Sequence, residues 1–263
     1  MKETSLFVIL MLIIVLGAGA TSFAVCTATT LTTAPGIWGI ESQGNGPGGK
    51  TNYLIQVTFV SGTFTGTEWA SVAGTISGPT AISGTWAMGT PASNCQGTMT
   101  VTSPSTQTFS FAINNTNKGG TIAQIDAGYT QAGFMVAQGV IPGTTHTCST
   151  ALFKNKLFSL YSYGNIPAVG GLVTASGEIK FSTTGATFNA APTVTLDLGG
   201  AGNFVVPANG TSSINTDCTG TGVLTVPSLG QSFSVDFVVV SAGKEALWLV
   251  TNATDNVSGY FLQ

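Results

Sequence analysis

Along most of the chain, apolar and polar residues alternate with a period of two, and Gly, Pro or Asn interrupts the alternation at short intervals. Side chains of an extended strand point alternately to its two faces, so this pattern predicts half-buried β-strands. In the C-terminal part it predicts eight, around Leu157–Tyr163, Gly171–Ser182, Ala186–Leu198, Asn203–Val206, Gly222–Val226, Ser232–Val240, Ala246–Thr251 and Val257–Leu262. They are joined by turn signals such as Thr184-Gly185, Gly199-Gly200 and Ala242-Gly243. No stretch has the period and caps of a long helix. The fold class is therefore all-β, and short sequential links favour an antiparallel meander. About eight strands are enough to close a small barrel without exposed edges. Two packed sheets, a β-sandwich, remain the alternative.

The pattern occurs twice. Asn94-Cys95-Gln96-Gly97-Thr98 precedes alternating Met99 and Val101, then Phe109-Ser110-Phe111. Asp217-Cys218-Thr219-Gly220-Thr221 precedes Val223, Leu224 and Val226, then Phe233-Ser234-Val235. Each series continues through a Gly turn and a short apolar strand to a Gly-aromatic strand, Gly133-Phe134-Met135-Val136 or Gly259-Tyr260-Phe261-Leu262. Ordered self-similarity of this kind is the mark of a duplicated unit. The expected organisation is a signal peptide over 1–24, a first β-barrel repeat over 25–141 and a second over 142–263.

Four cysteines allow three pairings. Cys26 precedes Cys95 by 69 residues and Cys148 precedes Cys218 by 70, so pairing within each copy gives each its own staple. Free or metal-binding thiols are the competing reading, and neither a CxxC nor a nearby His at ligand spacing supports it.

The N-terminus changes the setting. Lys2 precedes an apolar run from Leu6 to Leu16, and Ser22-Phe23-Ala24 places small residues at the −3 and −1 positions of a cleavage site. This predicts a signal peptide removed after Ala24, with an uncleaved anchor as the alternative. No later run is long enough to span a membrane as a helix, so no membrane span is expected after cleavage. The expected location is secreted, extracellular or at the cell surface, where disulfides persist.

Only 6% of the chain is charged, Arg is absent and the net charge is −3. That argues against a nucleic-acid partner, which needs clustered cations. With 43% hydrophobic residues the chain still has enough apolar surface for a core.

Gly36-Ile37-Trp38 resembles the Gly-x-Trp signature that opens the first strand of lipocalin-like (calycin) barrels. The duplicated Asp/Asn-Cys-x-Gly-Thr unit with its terminal Gly-aromatic strand resembles uncharacterised secreted bacterial β-barrel proteins. The first resemblance implies a barrel, and the second implies no activity.

Candidate chemistry is sparse. His146, the sole His, lies in the linker before Cys148, where a triad or a multi-His zinc site has no partners. Glu41 follows the Trp38 strand and Glu68 adjoins Trp69, but the acids read as isolated residues at turn edges. Gly44-Asn45-Gly46-Pro47-Gly48-Gly49-Lys50 lacks phosphate-loop spacing and reads as a hairpin tip. No catalytic, cofactor-binding or metal-binding residue is assigned, and the chain is expected not to be an enzyme.

The candidate ligand-contact residues are aromatic: Trp38, Tyr53, Trp69 and Trp86 in the first copy, and Tyr161, Tyr163 and Trp248 in the second. Sequons begin at Asn114, Asn209, Asn252 and Asn256. The expected function is a secreted structural, surface or extracellular-matrix role, with self-association or a surface polymer as partner. The alternative is a lipocalin-like binding module for a small apolar or carbohydrate ligand.

Overall fold

The computed structural model describes residues 28–32, 36–89, 95–114, 119–139, 147–199 and 202–263. The predicted signal peptide, Cys26 and His146 lie outside the described residues. A single helical turn, α1 (Ala28–Thr32), precedes the first sheet. Strands β1 (Ile37–Gly46), β2 (Gly49–Val60), β3 (Thr63–Val72), β4 (Thr75–Met88), β5 (Gln96–Ser103), β6 (Gln107–Asn114), β7 (Gly119–Gln124) and β8 (Thr130–Ala137) form an antiparallel meander. β8 pairs back onto β1, closing barrel 1.

The C-terminal part has nine strands: β9 (Leu157–Ile166), β10 (Gly171–Phe181), β11 (Thr187–Leu198), β12 (Gly202–Val206), β13 (Asn209–Ile214), β14 (Thr219–Val226), β15 (Gln231–Val240), β16 (Glu245–Val250) and β17 (Asn256–Leu262). Eight of them close barrel 2, since β10 pairs with both β9 and β11 while β17 pairs with β9. The eighth wall strand is not β12, as the alternation suggests, but β13. Its sequence, Asn-Gly-Thr-Ser-Ser-Ile, has one large apolar side chain and therefore no period to detect. It is recruited by its ladder to β14 and by Gly210, over which the ring of Phe188 lies. β12 instead pairs with the far half of β11 alone, leaving its other edge open.

Each barrel has one plugged end. In barrel 1 the buried Leu31 of α1 covers it, and Trp38 donates its indole N–H to the Leu31 carbonyl at 3.1 Å. In barrel 2 a 3-10 turn at Thr150–Leu152 delivers Phe153 among Phe158, Phe181 and Phe237, with ring centroids 5.1, 4.7 and 6.2 Å away. Such aromatic contacts add edge-to-face attraction to the burial of a large ring. The Cys148–Cys218 disulfide lies at that same end and closes a 70-residue loop. Cys95 is also disulfide-bonded, and its predicted partner Cys26 is outside the described residues.

The Cys-x-Gly-Thr segments are framework. Cys95 and Cys218 both adopt positive φ, and their carbonyls accept from Ile113 and Val239 respectively, 2.8 Å in each case. Gly97 and Gly220 then leave room for the ring of the residue opposite, Phe111 and Phe237. A side chain at either position would collide with that ring, so the glycine is a packing requirement.

The barrels pack against each other through outward-facing residues of β1, β2, β3 and β8 on one side and of β15, β16 and β17 on the other. Leu54, Trp69, Val238, Val240, Leu247 and Leu249 form a separate buried apolar cluster there. Gly39 permits this approach, because a Cβ on it would lie 2.6 Å from Val240 Cγ1. Polar contacts surround the cluster. Ser258 Oγ donates to the Glu41 carboxylate, Asn256 Nδ2 donates to Lys50 O at 2.7 Å, and Thr254 N donates to Gly74 O at 2.9 Å. Gln138 O accepts from Ala242 N at the plugged ends. Since plugged end meets plugged end and Gly74 meets Thr254, both unplugged ends open on one side of the molecule.

Candidate functional site at the two barrel ends

Strand registers align the barrels layer by layer. Phe111 pairs with Ile122 and Ile122 with Gly133, just as Phe237 pairs with Trp248 and Trp248 with Gly259. Ser42 opposite Tyr53 matches Ser162 opposite Ala175. Extending these registers to the unplugged ends sets Tyr53, Glu68, Gln107, Gln124 and Gln131 against Ala175, Val194, Phe233, Val250 and Val257. One topological layer thus carries opposite chemistries in the two barrels.

In barrel 2 the layer leaves a cavity of ≈ 50 Å³ lined almost wholly by apolar side chains, among them Ala175, Val194, Leu224, Phe233 and Val257. With its mouth included, the empty space is ≈ 630 Å³. A second apolar hollow of ≈ 20 Å³ lies deeper, toward Phe153, and shares Leu224 and Trp248 with the first. Trp248 is 2% exposed, and its indole N–H has no hydrogen-bond partner within the protein. The mouth is bordered by Leu229, and exposed Leu172, Phe204 and Val205 stand at the same end.

In barrel 1 the same layer is polar and buried. Gln131 Nε2 donates to Ser42 Oγ at 3.0 Å, Gln124 Nε2 donates to Asp126 Oδ2 at 2.9 Å, and Gln107 hydrogen-bonds the Glu68 carboxyl. Burial pushes Glu68 up from 4.5 to about 7, with the Gln107 bond opposing the shift. Burial and the neighbouring Glu68 charge also raise Tyr53.

A carboxyl that resists ionisation in the folded state makes stability pH-dependent. Its contribution is full below about pH 4.5, where folded and unfolded chains are both protonated. It is lost as pH rises through about 7, by of order 3 kcal/mol. Glu68→Gln is therefore expected to flatten that dependence and to be more stable than the parent at about pH 8. Urea unfolding at both ends of the range checks this, and parallel pH profiles would contradict it.

The remaining sequence candidates are dispersed. Trp38 and Trp86 belong to the plugged end of barrel 1, where Trp86 donates to the Val60 and Thr63 carbonyls at 2.7 and 3.0 Å. Trp69 lies in the docking cluster. Tyr161 and Tyr163 are each 42% exposed on the outside of β9, with Tyr161 beside Tyr260. Glu41 faces outward between the barrels and Glu68 faces inward, so the two carboxylates stand on opposite faces of one sheet. Gly44–Lys50 is the β1–β2 hairpin tip. Asn256 is buried in the docking interface with its amide engaged, which leaves no room for a glycan there. Among the described residues, no group of three or more His, Cys, Asp or Glu side chains is placed to hold a metal ion. No described helix is long and apolar enough to cross a membrane.

Sequence reasoning passed over Gln107, Gln124 and Gln131. The available signal was a Gln at positions where the strand alternation calls for an apolar residue, visible once the two halves of the chain are aligned.

No protein-family model matches the chain. No curated protein matches it. Among solved structures, it is similar to the crystal structure of a protein with unknown function from the DUF3598 family of Nostoc punctiforme PCC 73102. The two are 8% identical over 89% of this chain and 96% of that one, with a TM-score of 0.24.

Proposed function

We propose that the chain is a secreted, non-enzymatic binding module, made by duplication of one disulfide-closed unit, whose second barrel receives the end of a small apolar ligand. The observation that carries this reading is the apolar cavity at the unplugged end of barrel 2, continuous with a mouth near exposed Leu172, Phe204 and Val205. The disulfide is consistent with an oxidising, extracellular compartment. A cavity of ≈ 50 Å³ is about a third of the 150 Å³ that admits benzene, so a slender alkyl chain fits better than a ring. A sugar is disfavoured because its hydroxyls would meet few polar partners among Val, Leu and Phe. The unpaired Trp248 N–H offers one donor to a single acceptor atom on such a ligand.

Titration with a medium-chain alkanol, followed by tryptophan fluorescence, is expected to saturate. Ala175→Leu fills the cavity and is expected to weaken binding at least about tenfold, a loss of about 1.4 kcal/mol, while the melting temperature holds or rises. Absence of saturable binding by the parent protein would overturn the proposal.

A second reading, self-assembly, draws on β12. It pairs on one side only and exposes Val205 to 66%. Unpaired edges with apolar side chains invite pairing with another chain. Concentration-dependent light scattering that Val205→Lys suppresses would support assembly, and a protein monomeric at all concentrations would exclude it.

A further inference from the structure

The polar layer of barrel 1 is short of donors. Each Gln directs its N–H₂ to an acceptor: Gln107 to Glu68, Gln124 to Asp126, and Gln131 to Ser42. Those bonds set the amide orientations and leave Oε1 of all three glutamines without a partner within the protein. Oε2 of Glu68 is likewise unpaired. All four side chains are more than nine-tenths buried. They come from β3, β6, β7 and β8, and every one points into the same lumen at the same end. The Gln107–Glu68 hydrogen bond spans that lumen, since β3 and β6 are not neighbours in the barrel.

An orphaned buried acceptor has given up its hydration without gaining a hydrogen bond in exchange, which is unfavourable. The corresponding layer of barrel 2, built from Val194, Phe233, Val250 and Val257, carries no such cost. Elsewhere among the described residues, orphaned side-chain atoms belong to Asn52, Gln138, Trp248 and Asn256, whereas barrel 1 gathers four acceptors at one level. One carboxylate and three amide oxygens present a single negative charge and several lone pairs, with no cationic side chain among them. That chemistry is complementary to a compact monocation with several N–H donors.

We propose that the unplugged end of barrel 1 is a binding site for a small primary ammonium group, held by Glu68 and the side-chain oxygens of Gln107, Gln124 and Gln131. The site is separate from the apolar cavity of barrel 2, and either can exist without the other. Pairing with a cation also favours the Glu68 carboxylate, so binding near neutral pH is expected to release a proton.

Calorimetric titration of the full chain with methylammonium tests this, with tetramethylammonium and potassium as comparison ions. Saturable binding of methylammonium is expected near pH 7, with an enthalpy that depends on the buffer's ionisation enthalpy. Tetramethylammonium has the charge but no N–H donors, and it is expected not to bind. Glu68→Gln is expected to weaken methylammonium at least about tenfold and to abolish the proton release. Gln131→Met, which keeps the charge and removes one acceptor, is expected to weaken it less. Circular dichroism verifies that both variants are folded. No saturable methylammonium binding would overturn the proposal, because the layer would then be a water-filled polar end. Equal affinity for potassium would also overturn it, by showing a site that reads charge without hydrogen bonds.

Discussion

Leu247→Asp is expected to uncouple the two barrels and to cost more than about 4 kcal/mol. Leu247 is fully buried, packs with Leu54, Val238, Val240 and Leu249, and lines neither lumen. Truncating a buried Leu to Ala costs about 2–5 kcal/mol from lost burial and the cavity left behind. An unpaired carboxylate adds a desolvation penalty, because the neighbouring side chains in the cluster are apolar. The Phe153–Phe181 core of barrel 2 and the Trp38–Trp86 end of barrel 1 do not touch this position. Each barrel should therefore keep its own core while the docking fails. Calorimetry is expected to resolve two melting transitions in the variant where the parent shows one. A single transition, lowered by less than about 2 °C, would mean that the interface contributes little.

The Cys148→Ser/Cys218→Ser pair is expected to cost about 4 kcal/mol, the chain-entropy value for a 70-residue loop. The disulfide also tethers the segment that delivers Phe153, whose main chain is otherwise held by bonds such as Cys148 N to Thr216 O at 3.0 Å. Losing the tether leaves the plugged end of barrel 2 to be held by those main-chain bonds and by aromatic packing. The single melting transition of the chain should fall by roughly 10–15 °C in the double variant. A shift of under about 2 °C would show that the packing around Phe153 suffices.

Strand alternation was enough to read the all-β class, because half-buried strands must alternate, and the recurring Cys-x-Gly-Thr and Gly-aromatic segments marked the tandem arrangement. Closure into barrels was the first expectation, with sandwiches the alternative, although alternation alone does not enforce it. It depends on β8 returning to β1 and β17 to β9, pairings between segments remote in sequence. β13 was hidden because a strand with Gly210 facing a ring from β11 needs no apolar period of its own. β12 showed the pattern, yet it only prolongs β13 along β11, and the ladder to β14 that closes the ring belongs to β13. Trp248 was among the aromatic candidates and lines the cavity, but the same reasoning could not separate it from Trp69, which is buried in docking. Nothing in the sequence distinguishes the inside of one barrel from the outside facing another, since both surfaces are dry and apolar.

The sequence by itself determined the strand period, the Cys-x-Gly-Thr framework and the Cys148–Cys218 staple. These follow from local rules, the two-residue pleat and the room a glycine leaves for a facing ring. Only the tertiary structure decided where the two barrels differ. Register places Glu68, Gln107, Gln124 and Gln131 in one layer and Val194, Phe233, Val250 and Val257 in its counterpart. Convergence across a lumen is a property of closure, and closure is not written in any one strand.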